Sequence, residues 1–128
     1  MGYSISWELK GAVCTYAGVV TFDDFVAALT SIHSHPDYDQ LKYALHDFLA
    51  VTALDQGQTD LSILVAHTLG ASYSNPRIRT AIVAVLPTLV EVAHQFSKRT
   101  NQKVQVFDSV EKALEWAHQP DTSYQKQQ

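Results

Sequence analysis

The chain has 128 residues, 46% hydrophobic and 17% charged, with a formal net charge of −4. That length and apolar content suit one domain with a real core. The acidic balance, with Lys and Arg scattered except at Arg77/Arg79 and Lys98/Arg99, argues against nucleic acid, whose recognition needs a clustered basic face.

Tyr3, Ile5, Trp7 and Leu9 alternate with polar residues, the period of a half-buried strand over 3–9. Lys10 and Gly11 turn the chain into a second strand over 12–20, so the two form a hairpin. Thr21 and Asp24 have the spacing of a capping box, and Phe22, Phe25, Val26, Leu29 and Ile32 supply the apolar stripe of a first helix. Pro36 ends it. The run 41–49, "LKYALHDFL", is apolar on both faces, as an interior parallel strand should be. A second, very apolar helix opens at Gln58 or Thr59, with Asp60 at its positive end, and runs to about Tyr73.

"IRTAIVAVL" is the fourth strand, Pro87 the first turn of a third helix carrying Leu89, Val92, Ala93 and Phe96, and "KVQVF" a fifth strand. Asp108, with Glu111 three residues on, caps a last helix whose inner side is Val110, Ala113, Leu114 and Ala117. Residues 1–118 then form a single domain, and 119–128, with little to bury, a flexible tail. Strands alternating with helices predict an α/β fold: a five-stranded, mainly parallel sheet with an antiparallel edge strand and four helices.

With that order in place, "DFLAVTALDQG" aligns without gaps against the segment of STAS domains (the SpoIIAA-like, anti-sigma-factor-antagonist family) that reads Asp-Leu-Ser-Gly-Val-Thr-Phe-Ile-Asp-Ser-Ser-Gly. Asp47, Val51, Thr52 and Asp55 fall on that pattern, and "VFDSVEKALEW" resembles the family's final strand and helix. "HPDYDQLKYALHDF" and "SNPRIRTAIVAV" resemble the stand-alone SpoIIAA-like proteins, which are grouped by fold with STAS and CRAL-TRIO domains. The resemblance spans about residues 3–118 and implies a STAS/SpoIIAA-like fold. It also implies a phosphorylatable serine at the start of the second helix, where this chain has Gln56 and Gly57. Neither carries a hydroxyl, so the resemblance implies an interaction module without the phosphoswitch.

Candidate chemistry is sparse. His33, His35, Asp37 and Asp39 lie close in sequence, but zinc needs three or four convergent ligands, and a helix C-terminus followed by a Pro-Asp turn accounts for them. Cys14 sits inside a strand with nothing to activate it. A lone cysteine forms no internal disulfide and fits a reducing compartment. Asp47 and Asp55 could be read as paired carboxylates, but the sequence does not give their separation, and His67 and His94 are expected on polar helix faces. There is no Gly-rich phosphate loop, and the expectation is no cofactor, no metal and no catalytic residue. "MGYSIS" matches a myristoylation signal, yet the strand beginning at Tyr3 would tie Gly2 to the sheet.

The strand-to-helix loops are unusually apolar, holding Phe22, Ala53, Leu54, Leu86 and Pro87. In open sheets ligands bind at that edge. The leading expectation is therefore a non-catalytic module for an apolar small molecule or lipid. Its ligand-binding residues would be Phe22, Leu54, Leu61, Leu64, Leu86, Leu89 and Val90, supported by the CRAL-TRIO fold analogy. The alternative is a STAS-type protein-interaction module. A protein partner, a homodimer and peripheral contact with the inner membrane face stay open, for a protein expected in the cytoplasm; no run approaches the roughly 18 apolar residues of a membrane span.

Overall fold

The computed structural model describes residues 2–55, 60–100 and 103–120. Strands β1 (Tyr3–Glu8) and β2 (Gly11–Thr21) form an antiparallel hairpin, followed by helix α1 (Phe22–His33). After a short 3-10 turn (Tyr38–Gln40) come β3 (Tyr43–Asp55), α2 (Leu61–Ala71), β4 (Arg79–Val83), α3 (Pro87–Arg99), β5 (Lys103–Phe107) and α4 (Val110–Ala117). The sheet order is β1-β2-β3-β4-β5, with β2 to β5 parallel. This is the expected five-stranded mixed sheet with four helices.

A sheet that grows in one direction puts its crossover helices on one side. Ala12, Cys14, Tyr16, Ala44 and Ile82 accordingly share a core with Phe25, Leu29, Leu64, Leu89 and Phe96 from α1, α2 and α3. The alternate residues Leu45, Ala81 and Val83 form a second, smaller cluster with Ala113 of α4. Since strand side chains alternate, one set of strands serves both layers.

Local signals set most element ends. Thr21 and Asp24 complete their box: the Thr21 N–H donates to Asp24 Oδ2 at 2.9 Å and the Asp24 N–H to Thr21 Oγ1 at 3.1 Å. Pro87 opens α3. The cap of α4 is Ser109, whose Oγ accepts from the Lys112 N–H at 3.2 Å, while Asp108 pairs with the Lys112 ammonium. The cap of α2 is Asp60, accepting from the Ser62 N–H at 2.9 Å; the start expected at Gln58 or Thr59 lies outside the described residues.

Two expectations need larger correction. Trp7 and Leu9 are not on a half-buried face: they are 41% and 91% exposed, because the helix layer reaches only Tyr3 and Ile5. Trp7 instead stacks on His35 with ring centroids 3.9 Å apart. The third strand does not stop at residue 49 but runs to Asp55, paired to β2 as far as Thr21↔Asp55. The stretch that resembles a strand-to-helix joint is thus itself mostly strand. Its pairing with β4 ends at Asp47↔Val83, so the second half of β3 has β2 on one side only among the described residues. Two register shifts, between Thr15 and Ala17 and between Gly18 and Val19, set extra β3 residues against β2 there. The first follows an Asx turn in which the Leu49 N–H donates to Asp47 Oδ1 at 2.9 Å. Gly18 takes a positive φ of 73° at the second.

Gly11 starts β2 opposite Tyr43, whose ring occupies the space a Cβ on Gly11 would need, while its phenol donates to Glu8. Gly18 has open space but a left-handed backbone. Gly11→Ala is therefore expected to cost about 1–3 kcal/mol through overpacking, and Gly18→Ala about 1–2 kcal/mol through backbone conformation. Urea unfolding of double mutants separates the two. Tyr43→Ala should relieve much of the Gly11→Ala penalty and none of the Gly18→Ala penalty; equal behaviour would refute the steric account.

Candidate functional site

The space between sheet and helices is filled largely by aromatic rings. Tyr16 and Phe48 stack at 4.3 Å, Phe25 meets both edge-on at 5.5 and 5.3 Å, and Phe22 meets Phe25 at 5.6 Å. What remains is a cavity of about 60 Å³ between the sheet and α1, α2 and α3. Its walls are apolar apart from His46, Thr80 and the Tyr16 hydroxyl. Small-molecule sites usually measure about 300–1,000 Å³, so this space is too small for a fatty chain without rearrangement.

Leu61, Leu64 and Leu89 line this cavity together. Phe22, Leu54, Leu86 and Val90 do not: Phe22 is buried in the aromatic cluster, and Leu54, Leu86 and Val90 are half-buried against the core. Phe22 and Leu89 are only 5% and 3% exposed, so the expected opening at the sheet edge is occupied by core side chains. Other apolar residues do face outward there. Val19, Leu49 and Val85, which lie beyond the last β3–β4 pair, and Ile63 in the first turn of α2 are 62%, 42%, 57% and 50% exposed.

Two histidine contacts bridge elements far apart in sequence. His46, buried in β3, meets the Tyr16 hydroxyl through Nδ1 at 3.0 Å. Burial pushes the Tyr16 phenol well above its ordinary range, so it keeps its proton and can donate to a neutral His46. On α1, the Thr30 hydroxyl donates to the Val26 carbonyl at 2.8 Å and lies 3.1 Å from His67 Nε2. With its own proton committed, Thr30 accepts from His67 Nε2–H. His67 Nδ1 then accepts from His33 Nδ1–H at 2.9 Å, giving a one-way hydrogen-bond chain that latches α2 to α1. His67 is therefore half-buried against α1 rather than on an exposed polar face; His94 is exposed as expected.

The string "HSHPDYD" is dispersed by the fold. His33 turns to His67, His35 to Trp7, and the His35 Nδ1 accepts from the Asp37 N–H at 3.1 Å. Among the described residues no group of three or more His, Cys, Asp or Glu is arranged to hold a metal. Burial pushes the Cys14 thiol up to about 11, so it stays protonated and a poor nucleophile. Asp47 serves its Asx turn, and Gln56 and Gly57 lie outside the described residues. The scattered cations of the sequence do gather: Lys10, Lys42, Arg77, Arg79 and Lys103 surround one groove at the opposite end of the sheet. Sequence reasoning missed this because they come from four separate segments.

No protein-family model matches the sequence, and no curated protein matches it significantly. Solved structures do. The anti-sigma factor antagonist SpoIIAA in its unphosphorylated form superposes with a TM-score of 0.62 at 16% identity, over 92% of this chain and 99% of that one. The phosphorylated form of the Bacillus cell fate determinant SpoIIAA gives 0.58 at 16% identity, over 91% and 99% of the two chains. A DUF3478-family protein with a SpoIIAA-like fold from Shewanella loihica gives 0.57 at 17% identity, over 90% and 91%. The chain has the SpoIIAA-like α/β fold.

The buried histidines give a pH dependence. Burial, followed by the His67 charge, lowers His33 from 6.5 to about 4, and burial, followed by the His33 charge, lowers His46 from 6.5 to about 4. Unfolded histidines take up protons near pH 6.5, whereas these folded ones resist until about pH 4. Stability should be flat with respect to both above that window, fall as pH drops through it, and level off below it. For fully buried His46 the loss is roughly 3 kcal/mol across the window. Urea midpoints measured through this range should fall less steeply in His46→Gln; an identical slope would exclude His46 as a contributor.

Proposed function

We propose that this protein is a non-catalytic protein-interaction module of the SpoIIAA type that works without a phosphorylatable serine at the start of α2. The observation carrying this reading is the combination of the SpoIIAA-like fold with exposed apolar side chains at the strand-to-helix end. Val19, Ile63 and Val85 face solvent there, while the space beneath is reduced to about 60 Å³. Apolar surface on the outside with little room inside favours a partner's surface over an enclosed lipid. Among the described residues no helix is long and apolar enough to cross a membrane.

The partner this reading suggests is a protein of the kind SpoIIAA antagonises, an anti-sigma factor. The phosphorylated SpoIIAA structure shows that the relative can carry a phosphate. Here Gln56 and Gly57 stand at the aligned positions, and neither side chain can accept one. Binding would then be governed by the amount of each partner rather than by phosphorylation.

Two outcomes test this. A complex with an anti-sigma factor, followed by size-exclusion chromatography, should be lost in Val19→Asp with Val85→Asp. The Tm should stay nearly unchanged, since exposed positions usually shift stability by about 0.5 kcal/mol or less. Liposome flotation or fatty-acid binding by the wild type, with no protein complex, would reject the reading in favour of a lipid module. Separately, incubation with ATP and an anti-sigma-type serine kinase should leave the intact mass unchanged. A phosphate mapped to residues 52–62 would overturn the claim that the switch is missing.

A further inference from the structure

The parallel strands begin in one row: Gly11, Tyr43, Arg79 and Lys103 are register partners across β2, β3, β4 and β5. Residues in one row project to the same face of a sheet. Beside that row lies a groove of about 570 Å³, at the end of the sheet opposite the strand-to-helix loops. The β1–β2 turn, the segment before β3, the α2–β4 connection and the end of α4 enclose it. Lys10, Lys42, Arg77, Arg79 and Lys103 line it, with Asp39 the sole carboxylate among the described lining residues. Five of the nine Lys and Arg residues of an acidic chain thus meet at one concavity.

Like charges gathered in a concavity repel one another, and its walls focus their field instead of screening it. Part of this arrangement is structural. The Arg79 guanidinium donates to the carbonyls of Trp116, Gln119 and Pro120 at 2.7, 2.9 and 3.2 Å and lies 5.4 Å over the Trp116 ring, which ties down the end of α4. Arg77 and Lys103 also have partners within the chain. Lys10 and Lys42 have no comparable task. Lys10 reaches only Gln40 at 3.5 Å, and the exposed Lys42 side chain makes no hydrogen bond among the described residues.

The geometry points to a binding site for a small polyanion, a phosphorylated metabolite of about nucleotide size, at the strand-start end of the sheet. The volume falls in the range of about 300–1,000 Å³ common to small-molecule sites. The ammonium groups of Lys10 and Lys42 would meet the phosphates, reinforced by the fixed charge of Arg79. Leu9 and His118, both exposed on its wall, offer apolar and aromatic surface for the organic part. A nucleic-acid strand would need a basic track across an open face, whereas here five of the nine cations of an acidic chain gather in one groove.

The site lies away from the interaction surface proposed above, so the two readings stand or fall separately. Titration with pyrophosphate and with ADP, by calorimetry and amide chemical shifts, should show saturable binding that weakens with salt. The shifts should cluster at Lys42, Tyr43, Arg79 and Lys103. Lys42→Glu should weaken binding by about tenfold or more, with Lys42→Gln intermediate. Lys112→Glu, the same charge change in the exposed first turn of α4 at the opposite end of the sheet, should leave binding intact. Failure of both probes to saturate at low millimolar concentration, equal binding by Lys42→Glu, or shifts centred on the strand-to-helix loops would overturn the proposal. Tighter binding of a single-stranded oligonucleotide than of ADP through Lys42 would overturn it in favour of nucleic acid.

Discussion

The parallel pairing of β2 with β3 is the constraint on which the rest of the structure depends. It runs from Gly11↔Tyr43 to Thr21↔Asp55, the longest ladder in the sheet, and fixes which residues of both strands face the three-helix layer. A slip of β3 by one residue against β2 would send Ala44 and His46 to the α4 side and bring Leu45 into the larger core beside Cys14 and Tyr16. The aromatic cluster, the Tyr16–His46 contact and the small apolar cavity all follow from that one register. At its lower end the same ladder brings Lys10 and Lys42 together, with the Lys42 N–H donating to the Lys10 carbonyl at 2.7 Å.

Much of this was legible in the sequence, because local rules and tertiary demands agreed. The box of Thr21 and Asp24, Pro87 at the start of α3, and the doubly apolar run beginning at Tyr43 each have a physical cause that needs no distant partner. Where the sequence misled, a distant element decided the outcome. Residues 50–55 are strand because β2 is long enough to pair with them, a fact contained in β2 rather than in "AVTALD". Trp7 and Leu9 obey a strand period, but period does not say where the helix layer ends. Ser109 rather than Asp108 caps α4, a difference of one residue that spacing alone could not resolve.

The candidate sites were less legible for a related reason. Three of the seven expected apolar residues share a cavity, since hydrophobicity shows that a side chain is buried but not whether it meets space or another side chain. The His33–His67 contact and the basic groove unite residues more than thirty positions apart, which only the finished topology brings together. The lack of a hydroxyl at Gln56 and Gly57 is the opposite case. It is a statement about covalent chemistry, and the sequence carries it whole.

The second half of β3 has a further consequence. Past Asp47 it borders no β4, and a strand edge left without a neighbouring strand among the described residues, with apolar side chains such as Leu49, is a template on which another chain could add. The two register shifts against β2 interrupt the regular spacing of backbone donors and acceptors and increase the local twist. A straight incoming strand would therefore match only a few residues before losing step. The same irregularities that let the ribbon extend beyond the sheet also guard it against fibrous self-assembly, so this end can remain exposed to solvent without becoming a seed for aggregation.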